Sequence, residues 1–160
     1  MIKDWNFSDA NSSCSFRTAG VLIRNNKLLL QSFKGDYALP GGRVNFGETA
    51  KAGVIREFKE ELNVDIAFQR LIWVEEHFWK WDNKDMHSLC FYSLVSLKNN
   101  SALPDDFTGA ALDNKEVLYE WVALDNLASL PVYPPFIKDK IKNIADGVEH
   151  FVRDDRGDFS

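Results

Sequence analysis

The sequence has 160 residues, 45% hydrophobic and 27% charged, the size of one ordinary globular domain with enough apolar surface to fill a core. Its 19 Lys and Arg against 24 Asp and Glu leave a net charge of −5. That balance excludes the broad electrostatic footprint of a non-specific nucleic-acid binder, but not a small anionic ligand held by a local basic cluster or a metal ion.

Residues 16–24, with Ala19, Val21, Leu22 and Ile23, read as a strand, and residues 27–33, with Leu28-Leu29-Leu30, as a second. Asn25-Asn26 between them tolerates the positive φ of a tight turn, so the pair is expected to form a hairpin. The stretch 37–42, with Pro40 and the pair Gly41-Gly42, reads as an irregular loop whose backbone approaches a neighbour or ligand. A helix is expected over 49–62. Thr49 suits its N-cap, Ala50, Val54, Phe58 and Leu62 make one apolar stripe, and Asn63 suits a left-handed stop. Gly53 lies inside it at a cost of about 1 kcal/mol relative to Ala.

Strand patterns return at 64–68, 71–79 and 87–97, a polar loop covers 99–114, and 117–122 reads as a further strand. After Pro134-Pro135 a second helix is expected over about 134–146, with Phe136, Ile137, Ile141 and Ile144 as its apolar positions. Strands outnumber helices and come in runs, which predicts an α+β fold: an α/β/α sandwich with a mixed β-sheet core flanked by helices. No repeat, low-complexity tract or linker divides the chain, so a single domain over 1–160 is expected, with 1–12 and 153–160 as loose termini. Cys14 and Cys90 form neither a disulfide framework nor a zinc pattern, and Cys90 sits in an apolar run as a small buried hydrophobe. Residues 1–5 have no apolar stretch suited to a signal peptide, and no window holds the roughly 18 apolar residues of a membrane helix. A reducing, cytoplasmic location without membrane partners is therefore expected.

The chemistry concentrates in 41–64. On a helix, Glu57, Glu60 and Glu61 stand at i, i+3 and i+4, so their carboxylates gather on one face while Val54, Phe58 and Leu62 point elsewhere. Two like charges about 5 Å apart repel by roughly 3 kcal/mol at an effective dielectric near 20. Arg56 and Lys59 relieve part of that repulsion. A divalent cation relieves far more, and oxygen-only ligation suits Mg²⁺, with Mn²⁺ as a substitute. Taken alone, an acid-rich helix face is most often simply solvated; the upstream register is what changes the reading.

Gly42, Glu48, Arg56, Glu57, Phe58, Glu60, Glu61 and Val64 fill the places of G-x5-E-x7-R-E-U-x-E-E-x-G-U, U being a bulky apolar residue. That register resembles the signature of the Nudix hydrolases. Asn63 stands where the family usually has Gly, a mild departure because Asn also accepts the left-handed conformation. The resemblance implies metal binding by Glu57, Glu60 and Glu61, with Gly42 and Glu48 in the same metal set and Glu48 alternatively anchoring the loop. It implies that Arg56 orients the box carboxylates. The implied reaction is metal-dependent attack of water on phosphorus, breaking the diphosphate bond of a nucleoside diphosphate linked to another group. The general base stays open among Glu60, Glu61, Glu116 and Glu120, and Glu116 is also the candidate for an extra catalytic or metal residue.

Arg17, Arg43 and the Gly41-Gly42 pair are candidate substrate contacts, as are Trp79 and Trp81, which fall where several subfamilies carry specificity residues. The ordinary alternatives are surface arginines, a plain turn and tryptophans buried in a core or interface. The downstream Pro of many ADP-ribose hydrolases is missing, and Trp81 stands where many diadenosine-polyphosphate hydrolases carry Tyr, so the substrate is unassigned. The resemblance further implies a homodimer, because many family members pair. The competing class is a catalytically silent nucleotide-binding sensor or interaction module on the same scaffold; an isomerase on that scaffold is a third.

Overall fold

The structure is a computed structural model that describes residues 3–157. The chain starts with a short strand β1 (Asn6–Ser8), paired antiparallel to the first residues of a long strand β2 (Ser12–Arg24). Asn25 and Asn26 take positive φ of 50° and 59° and turn β2 back onto β3 (Lys27–Phe33), so the hairpin predicted from their chemistry forms. Two three-residue strands follow, β4 (Asp36–Ala38) on β3 and β5 (Gly41–Arg43) on β2. Then comes helix α1 (Ala50–Leu62), where Thr49 accepts the Ala52 N–H at 3.1 Å and Asn63 closes the end in the left-handed region.

A second long hairpin joins β6 (Ile66–Trp81) to β7 (Lys84–Leu97) through Asp82 and Asn83, both at positive φ. The sequence pattern divides β6 at 69–70; the structure keeps one strand and absorbs the break as register shifts against β7 near Phe68 and Leu71. The remaining elements are β8 (Thr108–Ala110), β9 (Leu118–Ala123), β10 (Val132–Tyr133), α2 (Ile137–Lys140) and β11 (Glu149–Asp154), with short 3-10 helices at Asn100–Ala102 and Leu124–Ser129.

The sheet runs β10-β4-β3-β2-β7-β6-β11, with β1 and β5 also on β2 and the β8–β9 pair on β3. The pairings β2–β7, β6–β11 and β4–β10 are parallel and the others antiparallel, which makes the mixed sheet expected of an α+β sandwich. Strand alternation divides the core between two layers. Leu28 and Leu30 face one of them, with Val21, Trp73, Tyr92 and Ile137; Leu29 faces the other, with Leu22, Val95 and the helix residues Val54 and Phe58. Phe58, 1% exposed, supplies about 1.5–3 kcal/mol of burial to the helix-side layer. No helix among the described residues is long and apolar enough to cross a membrane.

Three expectations are corrected. The helix expected over 134–146 is a single turn, Ile137–Lys140. Ile137 and Ile141 are buried and Ile144 packs against the same core, so the apolar spacing is used. Asn143, Asp146 and Gly147 are poor helix formers, however, and the Ala145 and Asp146 carbonyls accept from Arg70 at 2.7 and 3.1 Å. The expected loose ends at 1–12 and 153–160 carry β1, the start of β2 and the end of β11; residues 1–2 and 158–160 lie outside the described residues. β11 is held because Phe151 stacks on Phe136 at 3.9 Å and because β6 offers it a free edge. The irregular loop at 37–42 is mostly strand, with Gly41 and Gly42 paired to Ala19 and Thr18.

Candidate active site

Helix α1 lies against β2 and β5, and close packing fixes its height over them. Thr18 donates from its hydroxyl to the Ala50 carbonyl at 2.9 Å, and a Cβ on Gly53 would stand 3.1 Å from the Thr18 methyl and 3.2 Å from Glu48 Oε2. The glycine that weakens the helix in isolation is what lets it sit so near the strand. A Cβ on Gly42 would stand 2.4 Å from Glu57 Oε1. Gly42 and Glu57, fifteen places apart in the sequence, are thus in direct contact.

Arg56 organises the box. Its Nε donates to Glu48 Oε1 at 2.8 Å and Nη2 to Glu48 Oε2 at 3.0 Å, a bidentate pair. Nη1 donates to Glu57 Oε1 at 2.8 Å and Glu60 Oε2 at 3.0 Å, and Nη2 also donates to the Arg43 carbonyl at 2.9 Å. These bonds use all five donors of the guanidinium and tie it to Glu48, Glu57, Glu60 and the Arg43 carbonyl. Of the two roles expected for Glu48, its contacts support the loop anchor: Oε2 also accepts the Asn45 N–H at 2.9 Å. Arg56 holds the Glu48 carboxyl below its ordinary range.

The two inner acids behave oppositely. Burial pushes the Glu57 carboxyl up despite its bond to Arg56, and burial pushes Glu61 up to about 7, the hydrogen bond from Tyr119 opposing and the charges of Glu57, Asp113 and Glu60 adding. Burial, more than unbalanced charge, sets both shifts. Glu57, Glu60 and Glu61 offer only oxygen donors, the chemistry that suits a hard divalent cation. In this structure Glu60 is engaged by Arg56 and Glu61 by Tyr119, and no three acidic, His or Cys side chains among the described residues converge on one point.

The other expected residues divide. Arg17 and Arg43 face each other across the β2–β5 pairing and line a cleft of about 250 Å³ together with Trp79. Trp81 is 71% exposed at the end of the β6–β7 hairpin and is no part of that cleft. Glu116 is exposed before β9, and no contact among the described residues joins its carboxylate to the box acids. Glu120 accepts from the Tyr37 hydroxyl at 3.0 Å, on the face of β9 opposite Tyr119. The sequence reading missed Tyr119, which hydrogen bonds Glu61 and lies 3.0 Å from Gln31 Oε1. It missed Asp113, whose charge acts on Glu61, and the Glu75–Arg153 pair in the cleft. None of these carries a local motif; each is brought in by strand pairing.

Solved structures share this architecture. The chain superposes on a mutator MutT protein from Bacillus halodurans with a TM-score of 0.69 at 19% identity, covering 91% of this chain and 93% of that one. It superposes on an ADP-ribose pyrophosphatase from Streptococcus suis with a TM-score of 0.57 at 20% identity, covering 86% and 98%. These likenesses define the class, an α+β sandwich of the MutT type. A family model of the NUDIX domain matches residues 15–143, which contain the box and the strands that frame it, and the chain belongs to the Nudix family. Over 47 residues, 26% of this chain, it is 49% identical to an ADP-ribose pyrophosphatase of Methanocaldococcus jannaschii; the match spans 28% of that relative.

Proposed function

We propose that the protein is a divalent-metal-dependent pyrophosphohydrolase that breaks the diphosphate bond of a nucleoside diphosphate linked to another group. The observation that carries this reading is the half-buried acid cluster on α1, tied together by Arg56 and backed by Gly42 of β5. Glu57, Glu60 and Glu61 are the residues that would hold Mg²⁺ or Mn²⁺. The ion would supply Lewis-acid stabilisation of phosphoryl charge and a more acidic water. The chain's own part is positional. Arg56 fixes Glu57 and Glu60 relative to the β5 backbone, and Tyr119 restrains Glu61. Arg17 and Arg43, the latter paired with Asp4 at 3.2 Å, line the cleft and supply positive charge to an anionic diphosphate. The general base is one of Glu60, Glu61, Glu116 and Glu120, of which Glu60 and Glu61 lie on the box helix. The adenosine diphosphoribose named for two relatives is the first substrate to try.

The test is hydrolysis of nucleoside triphosphates, ADP-ribose, dinucleoside polyphosphates and nucleotide sugars by the purified protein in Mg²⁺, Mn²⁺ or EDTA. Metal-dependent turnover of one class is expected, falling about 100-fold or more in Glu60→Gln or Glu61→Gln with the fold intact. Full activity in both variants would overturn the assignment of these acids. Nucleotide binding with no turnover across the panel would transfer the reading to the silent sensor.

A further inference from the structure

We propose that a second copy of this chain docks on the open sheet face formed by β1, β2, β7 and β6 beside helix α1, making an isologous dimer. This surface is independent of the chemistry on α1.

Register decides which side chains share that face. Thr18 bonds α1, and at alternate positions before it on β2 come Phe16 and Cys14. Phe7 of β1 stands opposite Cys14, and on β7 Leu89 and His87 stand opposite Phe16 and Cys14. Phe78 of β6 lies beyond His87. Trp5 meets Phe16 edge-on at 5.1 Å, and Phe91 meets Phe16 from the other side at 5.0 Å. Helix α1 covers the face only from Thr18 onward, where Gly20 lies against Phe58. Before that point Cys14 and His87 are exposed, and Phe16 and Leu89 are only partly buried. A sheet can leave one face in water, but such a face is normally polar. This one is largely aromatic.

The exposed area sets the scale. Phe46 is 81% exposed, Phe7 60% and Trp5 57%, and the three surround one hollow of about 430 Å³. At about 150–250 Å² per ring they leave roughly 300–500 Å² of aromatic surface in water. That alone matches the largest apolar patch of a typical monomer, about 300–600 Å². Cys14, Phe16 and Leu89 extend it toward the roughly 800 Å² per partner that a stable interface buries. The hollow suits an anchoring side chain of the facing copy.

Charge selects the occupant. The acids on and beside the face are partnered within the chain: Glu76 by His150 at 2.8 Å, Asp154 by Arg156 at 2.5 Å, Asp85 by Lys80 at 3.5 Å and Asp4 by Arg43 at 3.2 Å. In an isologous contact each copy meets its own surface, so a net charge there would repel the second copy. Internal pairing removes that repulsion in a chain whose net charge is −5. It also leaves a strongly charged partner no excess of either sign to read.

Sedimentation equilibrium of the purified chain tests this, together with the rate at which a maleimide alkylates Cys14; Cys90 is buried and does not report. A dimer with a Kd of about 1 µM or tighter is expected. Cys14 should react about tenfold more slowly at about 100 times that Kd, where free monomer is the minor species. Phe7→Lys enters the interface twice, once per copy, and should weaken the dimer about 100-fold or more, with Cys14 reactive over the same concentrations. Trp81→Lys, at the end of the β6–β7 hairpin and outside this face, should change neither reading. Thermal melts check that both variants fold. A chain that stays monomeric at about 100 µM overturns the proposal. Reactive Cys14 in that monomer would leave the face to a different protein, and Cys14 shielded at every concentration would mean that the chain's own end covers it. A dimer whose Cys14 reacts as fast as in the monomer overturns it too, as does one that Trp81→Lys breaks and Phe7→Lys does not.

Discussion

Replacing Gly42 with Ala separates a steric role at the active site from an ordinary turn. The added methyl would stand 2.4 Å from Glu57 Oε1, 2.5 Å from Cδ and 2.7 Å from Oε2. An ordinary carbon–oxygen contact needs the carboxylate to retreat by about 1 Å. Glu57 cannot retreat freely, since Arg56 Nη1 holds Oε1 at 2.8 Å. Either that charge-assisted bond is lost, at about 1.5–3 kcal/mol, or β5 moves off the helix, an overpacking cost of about 1–3 kcal/mol. Urea unfolding should therefore show a loss of about 2 kcal/mol. The rate should fall about 100-fold, as expected for a reacting constellation displaced by 1 Å, with weaker Mg²⁺ binding by titration. Gly47→Ala is the control. Its φ of +82° is strained for Ala, at about 1 kcal/mol, yet nothing lies within 4 Å of the new methyl, so stability should fall with rate and metal affinity unchanged. Wild-type metal affinity and rate in folded Gly42→Ala would refute the argument that Gly42 sets the position of Glu57.

Three further outcomes are expected. Glu61, pushed up to about 7, binds a proton in the folded state between about pH 4.5 and 7 where the unfolded chain has released it, so metal-free stability should fall as pH rises through that window. Urea melts at several pH values should show the slope, Glu61→Gln should lose Glu61's share of it, and Mg²⁺ should oppose it by favouring the carboxylate; a slope identical in wild type and Glu61→Gln refutes the assignment. Tyr119→Phe removes the hydrogen bond that lowers Glu61, so the acid limb of the pH–rate profile should move to higher pH, with a stability loss of about 1–2 kcal/mol. An unmoved acid limb would show that Tyr119 does not control Glu61. Arg56→Lys cannot reproduce a five-donor fork, so it should lose about 2–4 kcal/mol in unfolding experiments and leave Glu48 and Glu57 misaligned; a stability within 0.5 kcal/mol of wild type, on the same rough scale, contradicts that geometry.

Much of this protein is local and therefore legible in the sequence. Asn25-Asn26 sets a hairpin because Asn accepts positive φ, and Thr49, Asn63 and the stripe through Val54 and Phe58 bound and orient α1 because capping and 3.6-residue periodicity act within a few positions. The spacing of Glu57, Glu60 and Glu61 places three acids on one face before any tertiary contact exists. What the sequence could not decide depends on pairing between distant strands. The C-terminal stretch has helical spacing, yet its carbonyls bond to Arg70, and the tail becomes β11 because β6 leaves an edge to fill. Tyr119 reaches Glu61 from 58 places away, and Arg153 meets Glu75 only through the parallel β6–β11 register. Local chemistry fixed which carboxylates share a helix face. Long-range strand pairing decided which others stand beside them, because a hydrogen-bonded register carries no signature in the sequence of either strand alone.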